Sequence, residues 1–203
     1  MKGIITKNEM EILMLYRKEI LLSKTIREIS MMLKKNYPKT FDAVKTLEKK
    51  GIIKIKKAGK SSLCEISEKA IPFLSIAESQ LKHERKDIPY SVIEKISIKN
   101  PFHTLLIGGS YAEGKQKPSS DIDIAIIIPN TENKKPCQTA LKEGELTVPE
   151  IHGFVFTQQE FYEMLTNAEF NYGKELARKH VVFYGAEPYY AILFEAIKHG
   201  FKG

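Results

Sequence analysis

The most constraining stretch of this 203-residue chain lies near its middle. His103-Thr-Leu-Leu-Ile107 is a short apolar run suited to a buried strand, and it leads into Gly108-Gly109-Ser110-Tyr111-Ala112-Glu113-Gly114. Ten residues separate Ser110 from Asp121, where Ser119-Ser-Asp-Ile-Asp-Ile-Ala-Ile-Ile-Ile128 reads as a second strand. Side chains alternate along a strand, so Asp121 and Asp123 share one face while apolar neighbours fill the other. Paired carboxylates on a rigid strand can hold a divalent metal. Magnesium prefers a few hard oxygen ligands together with water and phosphate oxygens, and the backbone N–H groups of a glycine turn at a helix start can cradle those phosphates. Neither GxGxxG nor GxxxxGK[ST] occurs, which sets aside the ordinary Rossmann and P-loop readings.

The complete pattern of Gly109-Ser110, ten residues and Asp121-Ile122-Asp123 resembles the nucleotidyltransferase superfamily that includes DNA polymerase beta, and within it the minimal nucleotidyltransferases. The resemblance implies Mg²⁺-dependent (or Mn²⁺-dependent) transfer of a nucleoside monophosphate from an NTP, ATP foremost, to an acceptor hydroxyl. It implies that Asp121 and Asp123 bind metal, and that Gly109, Ser110 and Ser120 hold the nucleotide. Glu150-Ile-His-Gly-Phe-Val-Phe-Thr157 looks like the family's third strand, followed by a helix from Gln158 to Leu165. Gly173 to Gly185 is similar to the closing helix and strand, from which Lys174 or Arg178 would reach the triphosphate. A third carboxylate is implied on the third strand, yet counting back from Thr157 puts His152 at that place. Glu150, two residues earlier on the same face, is the candidate substitute. Its Cα lies roughly 6.5 to 7 Å further along, a gap that a bulge near Pro149 or Gly153 would shorten.

Charge divides the chain. The net charge is +7, but Met1 to Ala70 holds 17 Lys/Arg against 8 Asp/Glu, and the remainder holds 15 against 17. A basic first third beside a slightly acidic remainder suggests two modules, the first suited to a polyanion. Thr6-Lys-Asn-Glu9 and Thr25-Ile-Arg-Glu28 fit the capping box, so helices are predicted to begin there. Ile12, Tyr16 and Ile20 mark the buried side of the first helix, and Ile26, Ile29 and Leu33 that of the second. A third helix is predicted from Pro38 to Gly51, with Phe41, Val44 and Leu47 inward. Two alternating segments, Ile52 to Lys57 and Ser61 to Ile66, flank Ala58-Gly59-Lys60 and read as a hairpin with a lysine-rich tip.

Three helices and a hairpin resemble the winged-helix DNA-binding domain. That resemblance offers Lys39, Thr40, Asp42, Lys45, Thr46 and Lys49 to a major groove and lays Lys54, Lys56, Lys57 and Lys60 along phosphates. The fold class expected is therefore α+β: an N-terminal winged helix-turn-helix over 1–70, a helical connector over 71–100, and a nucleotidyltransferase domain over 101–203 with a mixed β-sheet flanked by helices. In the connector, Ser67 is expected to cap a helix striped by Leu74, Ala77 and Leu81, and a second helix to run from Tyr90 to Ile98. Asn130 to Lys142 reads as a hydrophilic loop. The connector packs the modules together or pairs with a second copy as a homodimer.

No apolar run approaches the roughly 20 residues needed to cross a membrane. Cys64 and Cys137 lack metal-ligand spacing, which points to a reducing, cytoplasmic setting without a disulfide framework. His180 and His199 read as packing or surface residues. Three functional readings stay open: an enzyme with a DNA-binding module, a DNA-binding regulator whose degenerate nucleotidyltransferase domain only senses nucleotide, and an antitoxin-type enzyme whose acceptor is a protein.

Overall fold

A computed structural model of the chain describes residues 5–94 and 103–203. It divides into two compact units, Met1–Ala77 and Glu78–Gly203.

The first unit opens with α1 (Lys7–Lys18) and α2 (Ile26–Met32), each started by a complete capping box, Thr6 with Glu9 and Thr25 with Glu28. Ile20 lies beyond the end of α1 and is not part of its buried face; Met10, Ile12, Leu13 and Tyr16 are. The third helix, α3 (Tyr37–Lys49), is capped by Asn36, whose side chain accepts from Lys39 N–H. Its inward stripe is Thr40, Ala43, Val44 and Leu47. Phe41 therefore faces outward, and Thr40, expected to face DNA, is buried with its hydroxyl donating to Asn36 O at 3.1 Å. The reason is helical rotation: a 3.6-residue repeat cannot put both 40 and 41 at the centre of one face, and the packed neighbours select 40, 43, 44 and 47.

The hairpin is β1 (Ile53–Ala58) paired antiparallel with β2 (Ser61–Ile66). Lys24 adds an isolated bridge to Cys64, so the segment before α2 joins the edge of the hairpin. Tyr16, fully buried, donates its hydroxyl to Cys64 O at 2.8 Å and ties α1 to β2. Three helices with a bridged hairpin make this unit a winged helix-turn-helix. Ser67 does not cap a helix by its side chain: it donates to Gly51 O at 2.6 Å, and a 3-10 turn, Glu68–Ala70, precedes α4 (Ile71–Glu84). The boundary between units falls inside α4.

The second unit continues with α5 (Tyr90–Ile93), the remainder of whose expected span, to Ile98, lies outside the described residues. Then follow β3 (Thr104–Ile107), α6 (Gly109–Glu113), β4 (Ile122–Ile128), α7 (Lys134–Gly144), β5 (Ile151–Thr157), α8 (Gln158–Thr166), α9 (Tyr172–Arg178), β6 (Val181–Tyr184) and α10 (Ala186–Lys198). The sheet order is β5-β4-β3-β6, with β4 and β5 parallel and the other pairs antiparallel. This is the mixed sheet expected. The expected loop over 130–142 instead contains most of α7, because Cys137, Ala140, Leu141 and Gly144 recur at helical spacing and are buried. Cys137, Ala140 and Leu141 cluster with Ile122, Ile124, Ile126 and Ile128 on one face of the sheet, while α8 and α10 pack against strands of the same sheet. Among the described residues, no helix is long and apolar enough to cross a membrane.

Replacing Tyr16 with Phe removes one buried hydrogen bond without opening a cavity, and Cys64 O keeps its bond from Lys24 N–H. The expected loss is about 1 kcal/mol, read as a lower urea midpoint for the first unit with unchanged denaturant slope.

Candidate active site

The site is built around the start of β4. Gly108 N–H donates to Asp123 O at 2.8 Å, which fastens the turn after β3 to the strand that carries the acids. Gly109 then takes φ +55°, and a Cβ there would overlap the Asp123 carboxylate. Only glycine allows both that backbone and that approach. Ser110 lies in the first turn of α6, half-buried. At the far end of this helix Arg85 donates to Tyr111 O and Ala112 O while pairing with Asp87, whose carboxylate also accepts from Gln116. A guanidinium on the terminal carbonyls complements the negative end of the short helix.

Ser120 is engaged before the strand begins. Its Oγ accepts from Lys117 N–H at 2.8 Å and its own N–H returns a bond to Lys117 O at 2.9 Å, closing the turn that delivers Asp121. Asp121 stands just ahead of β4, exposed, and Asp123 is half-buried within it.

The parallel ladder decides the third position. Asp123 is directly opposite His152, and the register runs from Ile122↔Ile151 to Ile128↔Thr157 without a shift, so no bulge at Gly153 draws Glu150 forward. Glu150 O accepts from Ile122 N–H at 2.8 Å, extending the ladder one step. His152 Nε2 lies 3.0 Å from Glu150 and 3.8 Å from Asp121. Ligand atoms of Asp121, Glu150 and His152 come within 4.8 Å of one another. Carboxylate oxygens dominate this set and fit a hard cation; the imidazole fits it less well.

A cleft of about 180 Å³ is lined by Gly109, Glu113, Asp123, Tyr172, Glu175, Leu176 and Lys179. Burial raises the Asp123 pKa and the charges of Asp121 and Glu175 add to this, with His152 opposing. The Tyr172 hydroxyl is pushed up to about 12 by burial and by Asp123 and Glu175. Glu113 is held down at about 2 by hydrogen bonds from Lys115 and Lys179.

Lys174 and Arg178 do not line this cleft. Lys174 is buried and donates its ammonium to Asn167 O at 2.5 Å, and Arg178 donates to Gly203 O at 2.9 Å. The lysine of the cleft is Lys179, bonded to Glu113. Sequence reasoning missed it together with Tyr172 and Glu175; Tyr172 and Glu175 share one face of α9 at i, i+3, and Lys179 follows as the extended C-cap. On the first unit, Lys39, Lys45, Lys49, Lys54, Lys56, Lys57 and Lys60 are exposed.

The family model of the nucleotidyltransferase domain matches residues 91–183. That part of the chain is similar to a nucleotidyltransferase domain, and the winged-helix unit precedes it. No curated protein matches the chain significantly. Among solved structures, a mutant of Lactococcus lactis ZitR is similar at 25% identity, covering 47% of this chain and 62% of that one, with a TM-score of 0.34. The chain thus spans less than two-thirds of that relative's length. Lactococcus lactis ZitR described as a zinc-responsive MarR family member gives 22% identity, 46% and 72% coverage and a TM-score of 0.32. A ZitR mutant in complex with DNA gives 23%, 45%, 69% and 0.32.

Asp123 costs folding free energy when charged. Its folded pKa lies above its unfolded value, so the cost is absent below the unfolded pKa and complete above the folded one. Asp123→Asn is therefore expected to raise the Tm at pH 7 in chelator, with the gain vanishing by about pH 3. Differential scanning fluorimetry across that range checks it.

Proposed function

We propose that the protein transfers a nucleoside monophosphate from an NTP, ATP foremost, to an acceptor hydroxyl with Mg²⁺ or Mn²⁺, and that its N-terminal unit binds duplex DNA. One observation carries the enzymatic reading: the Gly108-Gly109 turn is bonded to the strand bearing Asp123, with Asp121 beside it and Glu150 within ligand reach on the neighbouring parallel strand. Asp121 and Asp123 would hold the cation, which when bound supplies charge neutralisation along the triphosphate. Gly109 would meet the phosphates through its backbone, its missing Cβ giving place to the Asp123 carboxylate. Ser110 donates from the first turn of α6, and Lys179, already charge-paired in the cleft, meets phosphate oxygens. Glu150 would orient the acceptor hydroxyl or take its proton, with His152 fixing its carboxylate at 3.0 Å. Ser120 acts indirectly by setting the turn before Asp121.

The DNA reading rests on the exposed lysines of α3 and of the hairpin on a winged-helix unit. A second functional reading, nucleotide binding without transfer, is favoured by His152 standing where a third carboxylate would face Asp123.

The double variant Asp121→Asn, Asp123→Asn is expected to abolish Mg²⁺-dependent NTP binding by calorimetry. Glu150→Gln is expected to lower transfer by two orders of magnitude or about that with NTP affinity nearly intact, whereas His152→Ala is milder. Incubation of a native lysate with labelled NTP identifies the acceptor. Tight Mg²⁺–NTP binding with no label on any acceptor selects the sensing reading. DNA affinity should fall steeply with salt, at about 0.9 counterion per phosphate contact.

A further inference from the structure

The outward face of α3 carries two aromatic rings that the core does not use. Thr40, Ala43, Val44 and Leu47 fill the inward stripe, leaving Tyr37 48% and Phe41 37% exposed. The pair is one helical turn apart, with ring centroids separated by 5.9 Å and planes inclined at 37°. One turn further on, the Lys45 ammonium lies 5.8 Å from the centre of the Phe41 ring. Aromatic area left in water loses the burial free energy available to it, so an outward pair of rings points to a surface that covers them.

Charge says what that surface is. Lys39 and Lys49 are exposed on the same helix and Lys54, Lys57 and Lys60 on the hairpin; none of these makes an ion pair among the described residues, while Lys45 is paired with Glu48 at 2.8 Å. Exposed lysines on the unit that presents the apolar pair complement a polyanion that also offers an apolar feature. Duplex DNA has one in its major groove, the C5-methyl group of thymine. Position agrees: Tyr37 is the first residue of α3, and the N-terminal turns of the second helix of a helix-turn-helix are those that meet base edges. The helix from Tyr37 to Lys49 contains no Arg, Asn or Gln, so bidentate purine contacts are not competing for the same place.

We infer that Tyr37 and Phe41 read thymine methyl groups, so that the winged-helix unit selects thymine in the major groove. This rests on the DNA-binding half of the proposed function. The full-length protein is titrated by fluorescence anisotropy competition with poly(dA-dT) and with poly(dA-dU), which differ by that methyl alone. The thymine polymer is expected to bind about three- to ten-fold more tightly, the effect of burying one or two methyl groups. Phe41→Ala and Tyr37→Ala are expected to bring the two polymers together while the salt dependence, set by the lysines, stays unchanged. Both positions are exposed, and circular dichroism melting verifies that the variants remain folded. Equal affinity of the parent for the two polymers overturns the inference and leaves DNA binding standing, as does an undiminished thymine preference in both variants. Failure to bind any duplex at low salt overturns DNA binding itself and marks the rings as a protein-docking face.

Discussion

The second unit depends on one short contact, the bond from Gly108 N–H to Asp123 O. It joins the end of β3 to the strand beside it at the point where β3 stops and α6 begins, so the turn and the acids cannot move independently. Gly109 tightens the same joint by leaving its Cβ position to the Asp123 carboxylate. The sheet then carries the geometry outward: β4 is flanked on both sides, and the parallel partner brings Glu150 and His152 to the side of the acids. Asp123 is held where its charge is costly, by burial and by the nearby charges of Asp121 and Glu175.

The cleft extends this arrangement with opposite charges. Glu113 accepts from both Lys115 and Lys179, so a carboxylate fixes Lys179 at the cleft. Tyr172 spans two environments, its hydroxyl near Gly108 and its ring against Phe154 and Phe156. The cleft thus gathers three carboxylates, Glu113, Asp123 and Glu175, with one lysine already paired to Glu113.

The first unit solves a different problem with similar economy. Capping boxes start two helices, Tyr16 spans from α1 to β2, and the bridge at Lys24 adds a third chain segment at the β2 edge of the hairpin. With the core satisfied by these few residues, α3 is free to present lysines and aromatic rings on one outward face.

Much of this was legible in the chain itself, because its signals are local. Thr6, Thr25, Glu9 and Glu28 specify helix starts within four residues, the alternation around Gly59 specifies a hairpin, and the spacing from Gly109 to Asp123 specifies a turn between two strands. The ladder sets His152, the position that counting back from Thr157 gives for the third carboxylate, opposite Asp123. What tertiary structure alone decided was rotation and reach. Whether Thr40 or Phe41 turns inward depends on what packs against α3, and one residue of rotation, about 100°, exchanges them. Lys174 and Lys179 differ by more than a turn on one segment, and only the packing of that segment buries the first against Asn167 O and sends the second to Glu113. Periodicity names the candidates for a face; the neighbours brought from far along the chain choose which face is buried.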